Sequence, residues 1–373
     1  MAASPYRIRC SGLDRVLACP GSLQMEEKHP QTEETEAAME GTAAHDCFAM
    51  DLEGLPFKVG DTAHNGVVIT AEMVEAGGEF ADFVRSWATP YTYIERQMPC
   101  AAIHPLCGGT PDAWGWVPEQ KLIRLADLKF GHRDVAVFDN AQLAGYTAGI
   151  IDEMKIDGLM EQHIRFEWTI YQPRAYRSGG AWKTQTGFLS DLRPLINRIS
   201  AAADESVSAA PSCRPSPQCR DCTGRHACVA LQRASASVID FTANTLEDFT
   251  LTADQCGNEL RRLEVAKQLL DARIEGLSEQ AISAIRSGKR VPGYELQSQT
   301  GREVWQDGKQ PAEIAAMAEL MGFNLYKPKE LITPNQARKL GFDVDYFDLS
   351  VKPTTGVKLS PVDTNQTRKI FGA

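Results

Sequence analysis

No stretch of this 373-residue chain holds about 18 consecutive apolar residues, the length that crosses a bilayer. The first residues, MAASPYRIRCSGLDR, also lack the apolar core of a signal peptide. The expectation is a cytoplasmic protein with no membrane partner. Basic charge is short as well: 39 Lys and Arg stand against 49 Asp and Glu, a formal charge of -10. That balance excludes nucleic-acid binding through a globally basic surface and leaves only a locally basic cleft. Ten cysteines are too sparse for a disulfide scaffold, and a reducing cytoplasm keeps them as thiols, so any cysteine cluster points to a metal. With 43% hydrophobic and 24% charged residues, collagen-like, mucin-like and wholly disordered classes are excluded.

Residues 11 to 55 read as helical, with Ser11 or Asp14 as the cap of a first helix over LDRVLACPGSLQM. Tyr91 to Gly131 reads as a β-meander: YTYIERQMP, GGTPDAWGWV and KLIRLADLKFG, the last two joined by a turn at Pro118-Glu119-Gln120-Lys121. Asp139 or Asn140 caps a helix through AQLAGYTAGIIDEM, and IRFEWTIYQP supplies a further strand. Three strands, a helix and a strand describe an α/β core. Pro211 to Pro217 reads as a linker before a tight cysteine group, and composition turns to long helices beyond it. Two domains are expected, 1–240 and a mainly helical 241–373. Leu260, Leu263, Leu270, Ile274, Leu277, Ala281 and Ala284 form an apolar seam for packing on the chain's own domain or on a partner helix.

The sharpest pattern is Pro111-Asp112, fourteen intervening residues, then Asp127-Leu128-Lys129. Residues two apart on a strand share a face, so Asp127 and Lys129 project together and Leu128 faces the opposite layer. Asp112 on the neighbouring strand reaches the same point. Two converging carboxylates make a hard, oxygen-rich site for Mg²⁺ or Mn²⁺, and a lysine beside them can orient a water. Gln142 and Tyr146 share one helical face. Cys219, Cys222 and Cys228 stand in a C-x2-C-x5-C spacing. With Cys213 they satisfy the needs of a local zinc site of four thiolates. Cys10, Cys47, Cys100, Cys107 and Cys256 show no partnered spacing.

The Pro-Asp…Asp-x-Lys pattern resembles the PD-(D/E)xK nuclease superfamily, and its order after Gly41-Thr42-Ala43-Ala44-His45 and before Gln142-x3-Tyr146 is similar to the RecB-like branch. One N-terminal cysteine with three late ones resembles the four-cysteine members, AddB-type subunits and CRISPR-associated exonucleases among them. Ile170-Tyr171-Gln172-Pro173-Arg174 resembles the QPR segment of a phage and prophage RecB-like family. The resemblance covers roughly residues 8 to 235, and Cys213 departs from it as an extra thiol.

The resemblance implies a restriction-endonuclease-like α/β fold, with a mixed central sheet flanked by helices and a 4Fe-4S cluster on Cys19, Cys219, Cys222 and Cys228 tying the chain ends together. It implies Mg²⁺ or Mn²⁺ on His45, Asp112, Asp127 and the Leu128 carbonyl, Lys129 as the positioning cation, and Gln142 and Tyr146 lining the DNA path. Glu95 and Glu40 are accessory carboxylates. Arg174 and Arg177, with Arg165, Lys183 and the aromatic residues at 168, 171, 176 and 182, suit phosphate contact and base stacking. The expectation is an exonuclease acting on DNA with a free end in a bacterial host's cytoplasm, together with a phage recombination protein. The alternatives are an idle DNA-binding recombination scaffold and a zinc-binding structural phage protein.

Overall fold

The computed structural model describes residues 5–30, 34–175, 180–243 (backbone alone for 238–243) and 252–296. The chain divides into two compact units, Met1–Leu296 and Gln297–Ala373, and the second lies outside the described residues together with Tyr176 and Arg177.

A three-stranded sheet, in the order β1-β4-β3, joins β1 (Ile8–Arg9), β3 (Met98–Pro99) and β4 (Cys107–Gly109). A five-stranded sheet, in the order β2-β5-β6-β7-β8, holds β2 (Thr92–Ile94), β5 (Ala113–Val117), β6 (Leu122–Leu128), β7 (Arg165–Tyr171) and β8 (Trp182–Phe188). Within this five-stranded sheet only β6 and β7 pair in parallel, across the helical crossover α5 (Ala141–Glu153), so the sheet is mixed. The expected meander is therefore divided. Its first segment bends at Glu95, whose φ of 43° is left-handed, and splits into β2 and β3 of different sheets.

Alternation along the strands builds two cores. Trp114, Ile123, Leu125, Phe166, Trp168 and Ile170 face α5 and α6 (Leu189–Ser206). Ala113, Ala126, Leu128 and Tyr171 face α3 (Glu36–Glu53) and α4 (Ala71–Trp87). A mixed sheet between two helical layers is thus the fold, as its class was read.

The N-terminal helix is broken. After a 3-10 turn at Cys10–Gly12 come α1 (Leu13–Ala18) and α2 (Ser22–Lys28), separated at Cys19-Pro20, because proline cannot donate to a continuing helix. Neither Ser11 nor Asp14 caps α1; Asp14 Oδ1 instead accepts the Ala141 N–H at the start of α5, while Asn140 accepts from Leu143 N. Most of the apolar seam does not pack on its own domain. Past α7 (Val229–Ala243), in α8 (Ala253–Arg286), the buried residues are Leu269, Ala272 and Gly276, whereas Leu260, Leu263, Ile274 and Leu277 are exposed. The inward face is set by Gly276, where a Cβ would stand 2.7 Å from Arg225 Cγ, so α8 lies against the cysteine-bearing segment.

Candidate active site

Asp112 and Asp127 lie on adjacent antiparallel strands, Asp112 just before β5 and Asp127 near the end of β6. The Leu128 amide donates to Asp112 Oδ2 at 2.6 Å, which fixes that carboxylate, and both aspartates are buried. From the α3 layer comes His45. Its Nδ1 stands 3.5 Å from Asp112 Oδ1 and 3.5 Å from Glu95 Oε1, and its Nε2 is 3.2 Å from the Leu128 carbonyl. One donor atom from each of His45, Glu95 and Asp112 lies within 4.8 Å of the other two. Glu95 reaches this point because its left-handed backbone turns it in while its amide bonds the Asp112 carbonyl at 3.0 Å.

From the α5 layer comes Gln142. Lys129 Nζ pairs with Asp127 Oδ2 at 2.8 Å and donates to Gln142 Oε1 at 3.2 Å, while Gln142 Nε2 donates to Asp127 Oδ1 at 3.2 Å. Tyr146 donates to the Thr110 carbonyl and stands 3.4 Å from Gln142 Nε2. The expected residues therefore meet as two linked groups. His45, Glu95 and Asp112 form an open donor set, and Asp127, Lys129 and Gln142 form a closed hydrogen-bonded ring. The Leu128 carbonyl faces the histidine, where it can hold the imidazole in one tautomer.

Electrostatics matches the geometry. Burial pushes Asp112 up to about 7, with the Asp127 carboxylate adding to it. Burial alone would lower His45, but Asp112 and Glu95 outweigh it and hold the imidazole up to about 9. Burial would likewise depress Lys129, yet Asp127 and Asp112 raise it, so it stays a cation. The carboxylate-rich pocket thus attracts positive charge strongly enough to keep a half-buried imidazole protonated.

Other expected contacts are taken up internally. The Arg174 guanidinium lies over the Phe130 ring at 3.8 Å and pairs with Glu40 and Glu72, joining α3 to α4. Lys183 Nζ is held by Asp134, Val135 O and Gln172. Trp168 is fully buried with its Nε1 on Thr147 Oγ1, and Tyr171 is core; of the described aromatics at these positions only Trp182 is partly exposed. Gln172, with no motif-independent signal in the sequence, proves to be the anchor of the loop after Lys129. Its amide bonds Val135 N, Gly131 O and Arg133 O.

A cleft of about 770 Å³ opens beside Lys129 and Gln142 and runs along Arg133, Arg220, Asp221 and Asp271 of α8. Arg133 there pairs with Asp221 at 2.7 Å. Beyond it, Cys19, Cys213, Cys219, Cys222 and Cys228 line one small cavity. The Arg214 and Ser216 amides donate to the Cys19 and Cys219 sulfurs at 3.2 and 3.3 Å. Burial pushes the Cys222 thiol to about 12 and the Cys213 thiol to about 11.

No curated protein matches the chain in sequence. Among solved structures, the crystal structure of an alkaline exonuclease (LHK-Exo) from Laribacter hongkongensis is similar at a TM-score of 0.24 and 13% identity, covering 53% of this chain and 87% of that one. A likeness this weak says nothing about the chemistry of the present site. Residues 7–361 match the family model described as "Protein of unknown function (DUF2800)", and the chain belongs to that family.

Proposed function

We propose that the chain is a metal-dependent deoxyribonuclease that removes nucleotides from DNA ends, in the setting of phage recombination or replication. The observation that carries this reading is the convergence of His45, Glu95 and Asp112 within 4.8 Å, beside the Asp127–Lys129 pair at the end of β6. An imidazole and two carboxylates are a donor set for Mn²⁺ or Mg²⁺. Bound there, the cation supplies charge neutralisation on a phosphate and a more acidic water. Asp127 holds Lys129 by its 2.8 Å contact, and Gln142 bridges both, so the ammonium is fixed at the rim of the cleft where a phosphate oxygen would lie. The Leu128 carbonyl orients His45, and the Leu128 amide orients Asp112. The intact set favours a working enzyme over an idle scaffold.

The same proposal assigns a 4Fe-4S cluster to Cys19, Cys219, Cys222 and Cys228. Cys19 and the thiols of the 213–228 segment around one cavity, two of them already accepting backbone N–H bonds, support it. Cys213 lines the same cavity, which keeps the local zinc site as the rival. Anaerobic purification should give a brown protein; Cys19→Ala should lose the colour and Cys213→Ala should keep it, the reverse would favour the local four-cysteine site, and a colourless protein that holds zinc would favour the zinc rival.

Digestion of end-labelled linear and covalently closed circular DNA with Mn²⁺ tests the activity. Linear DNA should shorten progressively while circles survive, and Asp127→Asn or Lys129→Ala should abolish cleavage with the circular dichroism spectrum unchanged. Nicking of circles as fast as linear DNA overturns the exonuclease reading, and undiminished cleavage by both variants overturns the site.

A further inference from the structure

One ion pair joins two walls of the cleft beside Lys129 and Gln142. Arg133 stands on the loop that follows Lys129, and Asp221 ends the 3-10 turn Pro217–Asp221 of the cysteine-bearing segment. Arg133 Nη1 lies 2.8 Å from Asp221 Oδ1 and 2.7 Å from Asp221 Oδ2. The carboxylate thus takes one corner of the guanidinium, and Nε and Nη2 hydrogen-bond no described residue. Both side chains meet solvent, at 57% and 30% exposure. Arg220 lines the same cleft, exposed, with its guanidinium bonded to no described residue.

An ion pair this exposed adds little to stability, so holding the fold together is a poor account of it. The backbone on either side is nevertheless anchored. The Arg133 carbonyl accepts from Gln172 Nε2 at 2.6 Å, and the Arg220 carbonyl accepts from the Arg225 guanidinium. The cleft's other cations are committed, Arg15 to Glu26 and Lys129 to Asp127 and Gln142. Arg133 lies four residues beyond Lys129, at most about 14 Å along the chain. Charges along one nucleic-acid strand rise about 3.4 Å apart, so Arg133 falls within about four steps of a phosphate at Lys129. A phosphodiester presents a guanidinium with the same pair of acceptor oxygens as a carboxylate. Asp139 and Asp271 also line the cleft, so its hold on a phosphate comes from where the guanidiniums stand and not from net charge.

We infer that Arg133 and Arg220 form a phosphate subsite for the backbone of a DNA strand whose end lies at the carboxylate site, an inference that rests on the nuclease reading above. Asp221 holds Arg133 in the cleft until a phosphate displaces it. Arg174, spent on Glu40 and Glu72, has no part in it.

Anisotropy of an end-labelled single DNA strand on the full chain in chelator tests this, because metal-dependent cleavage is then silent and binding is read whether or not the chain cuts. Arg133→Gln and Arg220→Gln should each weaken binding about tenfold, the loss of one charge-assisted bond, and lower the salt slope by about 0.7. Asp221→Asn should tighten it about two- to fivefold, the strength of an exposed ion pair. Arg85→Gln on α4, across the sheet, should bind as the parent does. A structural pair would lose binding alike in Arg133→Gln and Asp221→Asn, and that result overturns the inference, as does a parent that binds no strand or an Arg133→Gln that matches it. Displacement of the strand by an equal concentration of inorganic phosphate would assign the subsite to free phosphate and overturn the strand. Where the expected shifts appear but linear DNA stays uncut with Mn²⁺, the nuclease reading fails and the subsite stands.

Discussion

Replacing Gln172 by Leu removes four hydrogen bonds from a fully buried position at little change in volume. The amide oxygen accepts from Val135 N at 3.0 Å and from Lys183 Nζ at 2.9 Å, and the amide nitrogen donates to Gly131 O and Arg133 O at 2.8 and 2.6 Å. Lys183 keeps Asp134 and the Val135 carbonyl. Three backbone groups of the 131–135 loop are left without partners. At about 1 kcal/mol net for each lost neutral bond, and about 1–3 kcal/mol where a group stays buried and unpaired, the loss is about 3–5 kcal/mol once the loop relaxes toward water. A domain stable by about 5–15 kcal/mol survives that. Urea unfolding should show the loss, and amide exchange should show the Val135 N–H losing its protection while the α4 amides keep theirs. A change below about 1 kcal/mol with unchanged exchange at Val135 would refute the anchor role.

Two further outcomes rest on the same geometry. In chelator-treated protein, His45 holds its proton up to about 9 against an ordinary 6.5, so the folded state binds it more tightly than the unfolded chain. That stabilisation is complete below pH 6.5 and disappears as pH rises through 9, by about 1.4 kcal/mol per unit at most; urea melts at pH 6.5 and 9 measure it, and His45→Gln should flatten the trend. Gly149→Ala should destabilise by about 1–2 kcal/mol in thermal melts, since its Cβ would lie 2.7 Å from the Pro99 carbonyl, outweighing the gain of about 1 kcal/mol in helix propensity. Gly41→Ala, with open space around its Cβ, should gain that propensity and serve as the control.

Much of the core was legible because its signals are local. Alternation in KLIRLADL sends Ile123 and Leu125 to one layer and Ala126 and Leu128 to the other. Asn140 before an apolar helical run marks the α5 start. What escaped is non-local. Glu95 was expected as an accessory carboxylate, but the left-handed turn of its own backbone that brings it to His45 and Asp112 is one that no propensity announces. Asp14 looked like a cap for its own helix and caps another 127 positions away. The α8 seam followed apolar spacing, yet Gly276 chose the inward face by letting a backbone approach closely. Arg174 sits among aromatics and cations in sequence, but Glu40 and Glu72 claim it in space.

The contact between Cys19 and the late-cysteine segment carries a consequence for synthesis. The Arg214 amide meets the Cys19 sulfur across 195 residues. At about 5–20 residues per second, a ribosome needs about 10–40 s to bring the second partner out after the first. Throughout that interval Cys19 waits without the amide that later seats it, and any nascent chain arrested before residue 213 keeps an unfinished N-terminal edge. Stalled or truncated products of this gene should therefore be recognisable to chaperones and proteases by their first helices, α1 and α2, rather than by their severed ends.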